Sequence, residues 1–247
     1  ESGVLYVVGT PIGNLSDLSP RAINILKNVF QIACEDTRTT KKILNKFEIK
    51  NRQISFNKNN YKEKIPQIIY KLKEGKTIAL VSDAGMPSIC DPGEELIKES
   101  RNNGLEIICI PGPCAAITAL VSSGLPSSKF IFEGFLPKKK IDRDEALEGI
   151  CTNEKTTIIF ESPHRLKKLL IELKNFCGGD REIHISRELT KKHEEHLKSD
   201  INTLINHFKD REVIGEFTIV IKGLEKNSTK NIDKLNLRKE LHELVKA

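Results

Sequence analysis

Short unbroken apolar runs alternate with amphipathic stretches along most of this chain. "VLYVVG" (4–9), "VFQIAC" (29–34), "RQISF" (52–56), "TIALV" (77–81) and "LEIICI" (105–110) have the length and the β-branched content of strands. Between them lie helical patterns: "SPRAINILKN" (19–28), "TRTTKKILNKF" (37–47), "YKEKIPQIIYKLKEG" (61–75) and "PGEELIKESRNNG" (92–104). A fifth, small-residue helix, "CAAITALVSSG", runs from 114 to Gly124. Strands that are apolar at every position, each followed by a helix, indicate a parallel sheet covered on both faces. The pattern breaks at "LPSSK" (125–129). A second αβ unit follows, with strands "FIFEG", "TTIIFE", "REIHIS" and "EFTIVIKG" and helices near 142–151, 163–176 and 199–208. The predicted architecture is α/β, two αβ domains at 1–125 and 126–224, with a basic linker and the start of a helix at 225–247.

The helix starts carry recognisable signals. Ser19 precedes Pro20 as N-cap, and Asp36 can cap 37–47. Asp91 is placed as N-cap before Pro92, with Glu94 at the reciprocal capping position. Pro66 is expected to interrupt its helix, because it has no N–H to donate and its ring crowds the preceding turn. Four turns rich in Gly and Pro follow strands: "GTPIGN" (9–14), "EDTR" (35–38), "SDAGMP" (82–87) and "PGPCAA" (111–116). Any one of them is ordinary turn chemistry. Four on one rim of one sheet point to a ligand, since open α/β sheets bind ligands at the carboxyl ends of their strands. Neither a Walker motif nor G-x-G-x-x-G is present, so phosphate cradling of either kind is excluded.

Composition narrows the class only slightly. At 247 residues, 38% apolar and 30% charged, the chain suits a soluble globular protein, and its formal charge of +6 leans mildly toward polyanions such as RNA. No run approaches membrane-spanning length. The six cysteines form no C-x-x-C pair and read as buried free thiols in a reducing compartment, with a disulfide frame or zinc unexpected. "HEEH" (193–196) has its histidines three apart rather than the four of H-E-x-x-H, so it reads as an exposed charged helix face and no metal is expected. Met86 is the sole methionine, which implies a processed start.

Blocks in fixed order carry more information than any single motif. "VVGTPIGNLSDLSPRA", "EDTRTT", "SDAGMPSICDPG", "PGPCAAITALVSSGLP", "GFLPKKK", "FESPHRL", "RELTKKHEE" and "GEFTIVIKG" together resemble the bacterial small-subunit rRNA cytidine 2′-O-methyltransferases. That family belongs to the tetrapyrrole-methylase-like, class III S-adenosylmethionine (SAM) enzymes. The resemblance covers residues 4–223. It implies two αβ domains with SAM in the cleft between them, a homodimer, a cytoplasmic location, and methyl transfer to a decoding-centre cytidine of 16S rRNA in the 30S subunit. Two positions depart from the family pattern: Met86 stands where Thr is usual, and Cys114 where Ser is usual.

The same resemblance implies cofactor contacts at Pro11, Ile12, Gly85, Met86, Ile89, Cys114, Ala115, Phe160, Glu161, Leu189, Glu216 and Phe217. For Ile89, Phe160 and Phe217 the alternative is plain core packing. SAM carries no phosphate, and turns that expose main-chain groups can seat its adenine, ribose and amino-acid ends. Deprotonation of the hydroxyl calls for a positioned base. Asp36 is the candidate, with helix capping as its other reading, and Arg38 is its partner or a phosphate clamp. Arg187 with Glu188 can orient the ribose or bridge the domains. Lys138, Lys139, Lys140, Arg143, Arg165, Lys191 and Lys192 are the candidate RNA contacts. With no Trp, three Tyr and ten Phe, shape and phosphate contacts are favoured over base stacking. The rival readings are a tetrapyrrole or protein side-chain methyltransferase on the same fold, a non-catalytic RNA-binding protein, and a structural assembly partner.

Overall fold

The computed structural model of the protein describes residues 2–225, so the predicted basic helix beyond 225 lies outside the described residues. Two compact units are present. One runs from the N-terminus to Thr118 and includes Glu188–Glu194. The other comprises Ala119–Arg187 and the chain from Glu195.

In the first unit, β1 (Val4–Val8), β2 (Gln31–Cys34), β3 (Gln53–Ser55), β4 (Ile78–Val81) and β5 (Glu106–Ile110) form a sheet ordered β3-β2-β4-β1-β5. Every pairing is parallel, with Leu5 opposite Ile78 on one side and Ile107 on the other. Alternate residues serve opposite faces. Val8, Ala79 and Val81 pack with Ala22 and Leu26 of α1 (Pro20–Asn28) and Ile43 and Leu44 of α2 (Thr37–Lys46). Leu5, Ile78 and Leu80 pack with Ile68 and Leu72 of α3 (Tyr61–Lys73) and Leu96 of α4 (Gly93–Asn102). Burial on both sides is why β2 and β4 are apolar or buried at every position. α5 (Ala115–Ser123) follows β5.

Local signals were realised with two differences. Ser19 caps α1 through the Ala22 amide at 3.1 Å. α3 continues through Pro66 without interruption, contrary to expectation. Its buried Ile68, Ile69 and Leu72 hold the segment to the sheet despite the missing proline donor. At α4 the N-cap is Pro92 rather than Asp91, yet the Asp91 carboxylate still accepts from the Gly93 amide at 2.7 Å and the Ser88 amide at 2.8 Å.

The second unit has a mixed sheet, β6 (Phe130–Phe135), β7 (Thr156–Glu161), β10 (Phe217–Ile221), β8 (Glu182–Arg187) and β9 (Glu195–Asp200), in that order. β6 and β7 are parallel, and the other pairings are antiparallel. α6 (Lys140–Thr152), α7 (Pro163–Cys177) and α8 (Ile201–Phe208) bury Leu147, Leu166, Leu170, Leu173 and Leu204 against Ile159, Ile185 and Ile219.

Two expectations fail here. "HEEH" is not a helix face: Glu195 and His196 begin edge strand β9, where His196 Nδ1 lies 3.2 Å from Ser186 Oγ and 3.3 Å from the buried His184. Nor are all cysteines buried free thiols. Cys151 and Cys177, at the ends of α6 and α7, form a disulfide, while Cys90 and Cys109 are exposed. Cys34 alone fits the expectation, and burial pushes its thiol up to about 11.

Candidate cofactor and substrate site

Because β1, β2, β4 and β5 are all parallel, the four glycine- and proline-bearing turns emerge at one rim. The turns are joined by main-chain contacts. Thr10 and Gly85 exchange both backbone hydrogen bonds, at 2.9 and 3.1 Å, and the Gly9 amide donates to Ile110 at 3.1 Å. The buried Thr10 hydroxyl lies 3.3 Å from the Ser82 carbonyl. Glycine is required where these turns cross. A Cβ on Gly9 would sit 2.7 Å from both Gly112 Cα and Met86 Sδ, and one on Gly85, at φ +80°, would meet Ile12 and the Pro113 carbonyl at 3.3 Å. Met86 therefore lies directly against Gly9, filling space that a threonine side chain would leave open.

The loop between β4 and α4 is conformationally unusual. Gly85, Ser88 and Cys90 all have positive φ, at 80°, 75° and 68°. Non-glycine residues in this region cost about 1 kcal/mol or more each and cluster at ligand sites. The second such cluster is Glu188 and Thr190, at 51° and 66°, in the segment that joins the first unit. There the Leu189 carbonyl would lie 3.0 Å from a Cβ on Gly13, so this segment packs on the first rim turn.

The rim thus brings together Ile12, Gly85, Met86 and Leu189, with buried Pro11 beside them and half-buried Cys114 and Ala115 opening α5. Ile89 is exposed on the strained loop. In the second unit, Phe217 is buried in the core against Phe208, and it lies in β10 between Glu161 of β7 and Arg187 of β8, so its place is core packing. Glu161 is also buried. It accepts from Arg165 at 2.7 Å and from the Ser162 amide at 2.8 Å. Half-buried Phe160 stands edge-on to Phe132 at 5.1 Å and beside exposed Phe135 at 5.6 Å. Glu216 is exposed immediately before β10.

Asp36 is the N-cap of α2 and accepts from the Arg38 amide at 2.8 Å, while its other oxygen binds Arg38 Nη2 at 2.7 Å. Hydrogen bonds from the Arg38 side chain, then from its backbone, hold the Asp36 carboxyl at about 2. Such a carboxylate is a weak proton acceptor. Its neighbour Glu35, which sequence reasoning passed over, has the opposite electrostatics. Burial, then the charges of Asp83 and Asp91, raise its carboxyl above the usual range, against the pull of Lys58. Only the fold could reveal this, since Asp83 and Asp91 come from the next strand's loop. Arg187 donates to the Ile214 carbonyl at 2.6 Å and pairs with Glu195 at 3.6 Å, tying β8 to its neighbours.

Of the basic candidates, Lys138, Lys139, Lys140 and Lys192 are exposed, and Lys191 pairs with Glu188 at 2.9 Å. Arg143, expected to meet RNA, is instead 6% exposed and donates twice to Glu172 at 2.7 and 2.9 Å, so it supports structure and does not present charge. Among the described residues, no group of three or more His, Cys, Asp or Glu side chains is placed to hold a metal, and no helix is long and apolar enough to cross a membrane.

A parallel sheet with glycine- and proline-bearing turns at one rim, followed by a mixed sheet, is an architecture shared with the tetrapyrrole methylases. Residues 4–205 match the family model described as Tetrapyrrole (Corrin/Porphyrin) Methylases. Solved structures of that fold agree: cobalt precorrin-4 methyltransferase superposes with a TM-score of 0.66 at 15% identity, covering 89% of this chain and 94% of that one. Diphthine synthase gives 0.65 at 13%, covering 90% of each. Closer in sequence is "Ribosomal RNA small subunit methyltransferase I" of Thermotoga maritima, 46% identical over 90% of this chain and 100% of the relative. The Synechocystis sp. protein of the same name is 44% identical over 98% and 87%. The chain belongs to the ribosomal RNA small subunit methyltransferase I family, within the tetrapyrrole methylases. The resemblance read from the sequence blocks is thereby borne out at family level.

Proposed function

We propose that this protein methylates the ribose 2′-hydroxyl of a decoding-centre cytidine in 16S rRNA, acting on the 30S subunit as a cytoplasmic homodimer. Similarity to small-subunit rRNA methyltransferases along nine-tenths of the chain carries the reading. SAM supplies an activated methyl group on a cationic sulfur. The rim fits that molecule in two respects. Gly9, Gly85 and Gly112 let the rim turns cross where any Cβ would meet neighbouring protein atoms, which fixes the turns that would seat the molecule. Glu35, Asp83 and Asp91 lie close enough to influence one another and give the rim a negative field suited to a sulfonium.

In this reading Pro11, Ile12, Gly85, Met86, Ile89, Cys114, Ala115 and Leu189 seat the cofactor from the first unit. Met86 and Cys114 contribute through backbone and van der Waals contact, so the departures from Thr and Ser are tolerated. Phe160, Glu161, Glu216 and Phe217 are the second unit's candidate contacts, carried by resemblance to the family alone. Asp36 fixes the start of α2 and the Arg38 guanidinium, leaving Glu35 as the proton acceptor with the higher affinity. Arg187 positions its loop, and the exposed lysines with Arg165 meet RNA phosphates. Most of the acceleration then comes from holding hydroxyl and methyl in line.

Labelled SAM offered with 30S subunits, naked 16S rRNA and a uroporphyrinogen tests the reading. Label is expected in the RNA of the 30S subunit. Label in the tetrapyrrole or in ribosomal protein would overturn the substrate assignment, and SAM binding without transfer would favour a non-catalytic role.

A further inference from the structure

The second unit contains a cavity of about 510 Å³ lined by Lys138, Arg143, Ser162, His164, Arg165 and Lys168. Two segments that are separate in sequence, "PKKK" and "SPHR", meet there. Four of the lining groups are permanent cations, and two carboxylates stand against them. Glu161 is 2.7 Å from Arg165 and 3.5 Å from Arg143; Glu172 is 2.7 Å from Arg143 and 3.7 Å from Lys168. A surplus of two positive charges remains. Its distribution is informative. Arg143 is consumed in the wall, where it clamps both carboxylates. Lys138 and His164 have no partner among the described residues, and Lys168 is 72% exposed beyond its long contact with Glu172. Arg165 uses Nε on Glu161, which aims its guanidinium edge and leaves both terminal nitrogens without a partner among the described residues. The Ser162 hydroxyl makes no capping bond to α7 and donates over 3.5 Å to Glu161, so it belongs to the wall with Arg143.

Converging donors and a surplus of positive charge in the lining select an anion. Several cations at different corners, with one guanidinium fork, suit a phosphate better than a carboxylate. The volume falls within the about 300–1,000 Å³ usual for ligand pockets, so flanking ribose enters with the phosphate. We infer that this cavity holds one backbone phosphodiester of the RNA substrate, gripped by Lys138, His164, Arg165 and Lys168, with Arg143 as a positioning residue. The inference rests on the RNA reading above. It separates the basic candidates: Lys138 and Arg165 belong to a built site, while Lys139 and Lys140 do not line it.

The test is the affinity of the full chain for 30S subunits across a salt series, beside its affinity for SAM. Lys138→Ala/Lys168→Ala removes two lining charges and leaves the buried Arg143–Glu161–Arg165 contacts intact. As control, Lys62→Ala/Lys73→Ala removes the same charge from the exposed surface of α3. One lost phosphate contact lowers the slope of log affinity on log salt by about 0.7–0.9. That drop is expected for the cavity variant, with unchanged SAM affinity, and the control is expected to keep the wild-type slope. Equal slopes for cavity variant and control would overturn the inference while leaving the RNA reading intact. So would a cavity that takes up inorganic phosphate at fixed ionic strength while the cavity variant retains wild-type 30S affinity. A wild-type protein that binds SAM but no 30S subunit would instead overturn the RNA reading itself, and this inference with it.

Discussion

Gly112→Ala places a single methyl group where two strand-end turns cross. The new Cβ would stand 2.7 Å from Gly9 Cα, 2.9 Å from Gly9 C and 3.0 Å from Gly9 O. Carbon atoms in contact prefer about 3.5–4.0 Å, so the turns must part by roughly 1 Å. All three neighbours are main chain and cannot swing aside as a side chain can. Displacing them strains the Gly9 amide bond to Ile110, which is 3.1 Å long. Overpacking of this kind costs about 1–3 kcal/mol. At about 2–4 °C per kcal/mol for a protein of this size, the melting temperature falls by roughly 2–12 °C. Displacement of the rim should also weaken SAM, with each 1.4 kcal/mol lost equal to about tenfold in Kd. Gly149→Ala is the internal comparison. Gly149 lies in α6 with nothing within 4 Å of its would-be Cβ, so the same chemical change should stabilise by about 0.5–1 kcal/mol and leave SAM binding alone. Thermal melts and SAM titrations of both variants decide it. A Gly112→Ala protein with wild-type melting temperature and wild-type SAM affinity would refute the backbone-on-backbone account of the rim.

Three further outcomes follow from other parts of the molecule. His184 is buried, and burial, then His196 and Lys198, push its imidazole down from 6.5 to about 4. The unfolded chain therefore takes up a proton between those values, and stability, complete above pH 6.5, falls by about 3 kcal/mol as pH drops to 4. Urea unfolding from pH 8 to 4.5 should show that loss, and His184→Gln should flatten it; an unchanged slope would remove His184 as its source. Asp36→Asn keeps a capping side chain and should retain turnover within a few-fold, whereas Glu35→Gln should lower kcat with little change in SAM affinity. The reverse ranking would return the base role to Asp36. Thiol titration of unfolded, unreduced protein should find only the four free cysteines, Cys34, Cys90, Cys109 and Cys114, and six would contradict the Cys151–Cys177 bond.

The elements that were legible in the sequence are those whose burial leaves no choice of residue. β4, with all four positions buried, reads as a strand from "IALV" alone. β9 does not: "EHLKSD" lies at a sheet edge, half-buried at alternate positions, and Leu197 is its one apolar residue. Strand direction in the second sheet was equally hidden, because a run such as "FTIVI" is buried throughout whichever way its neighbours point. At the site, the rim turns were readable because glycine and proline act locally. The state of Asp36 was half-readable, since Arg38 is two residues away and supplies both the cap bond and the ion pair. Glu35 and Arg143 were not readable. Glu35 depends on Asp83 and Asp91 brought in by the next strand, and Arg143 is buried by Glu172, 29 residues along the chain.

The most direct measurement of the central claim is a ribose-methylation map of 16S rRNA from undermethylated 30S subunits, taken before and after incubation with the protein and SAM. The account predicts one new 2′-O-methyl mark, on a cytidine of the decoding centre. A mark on a base, a mark elsewhere in the RNA, or an unchanged map from SAM-bound protein would contradict it.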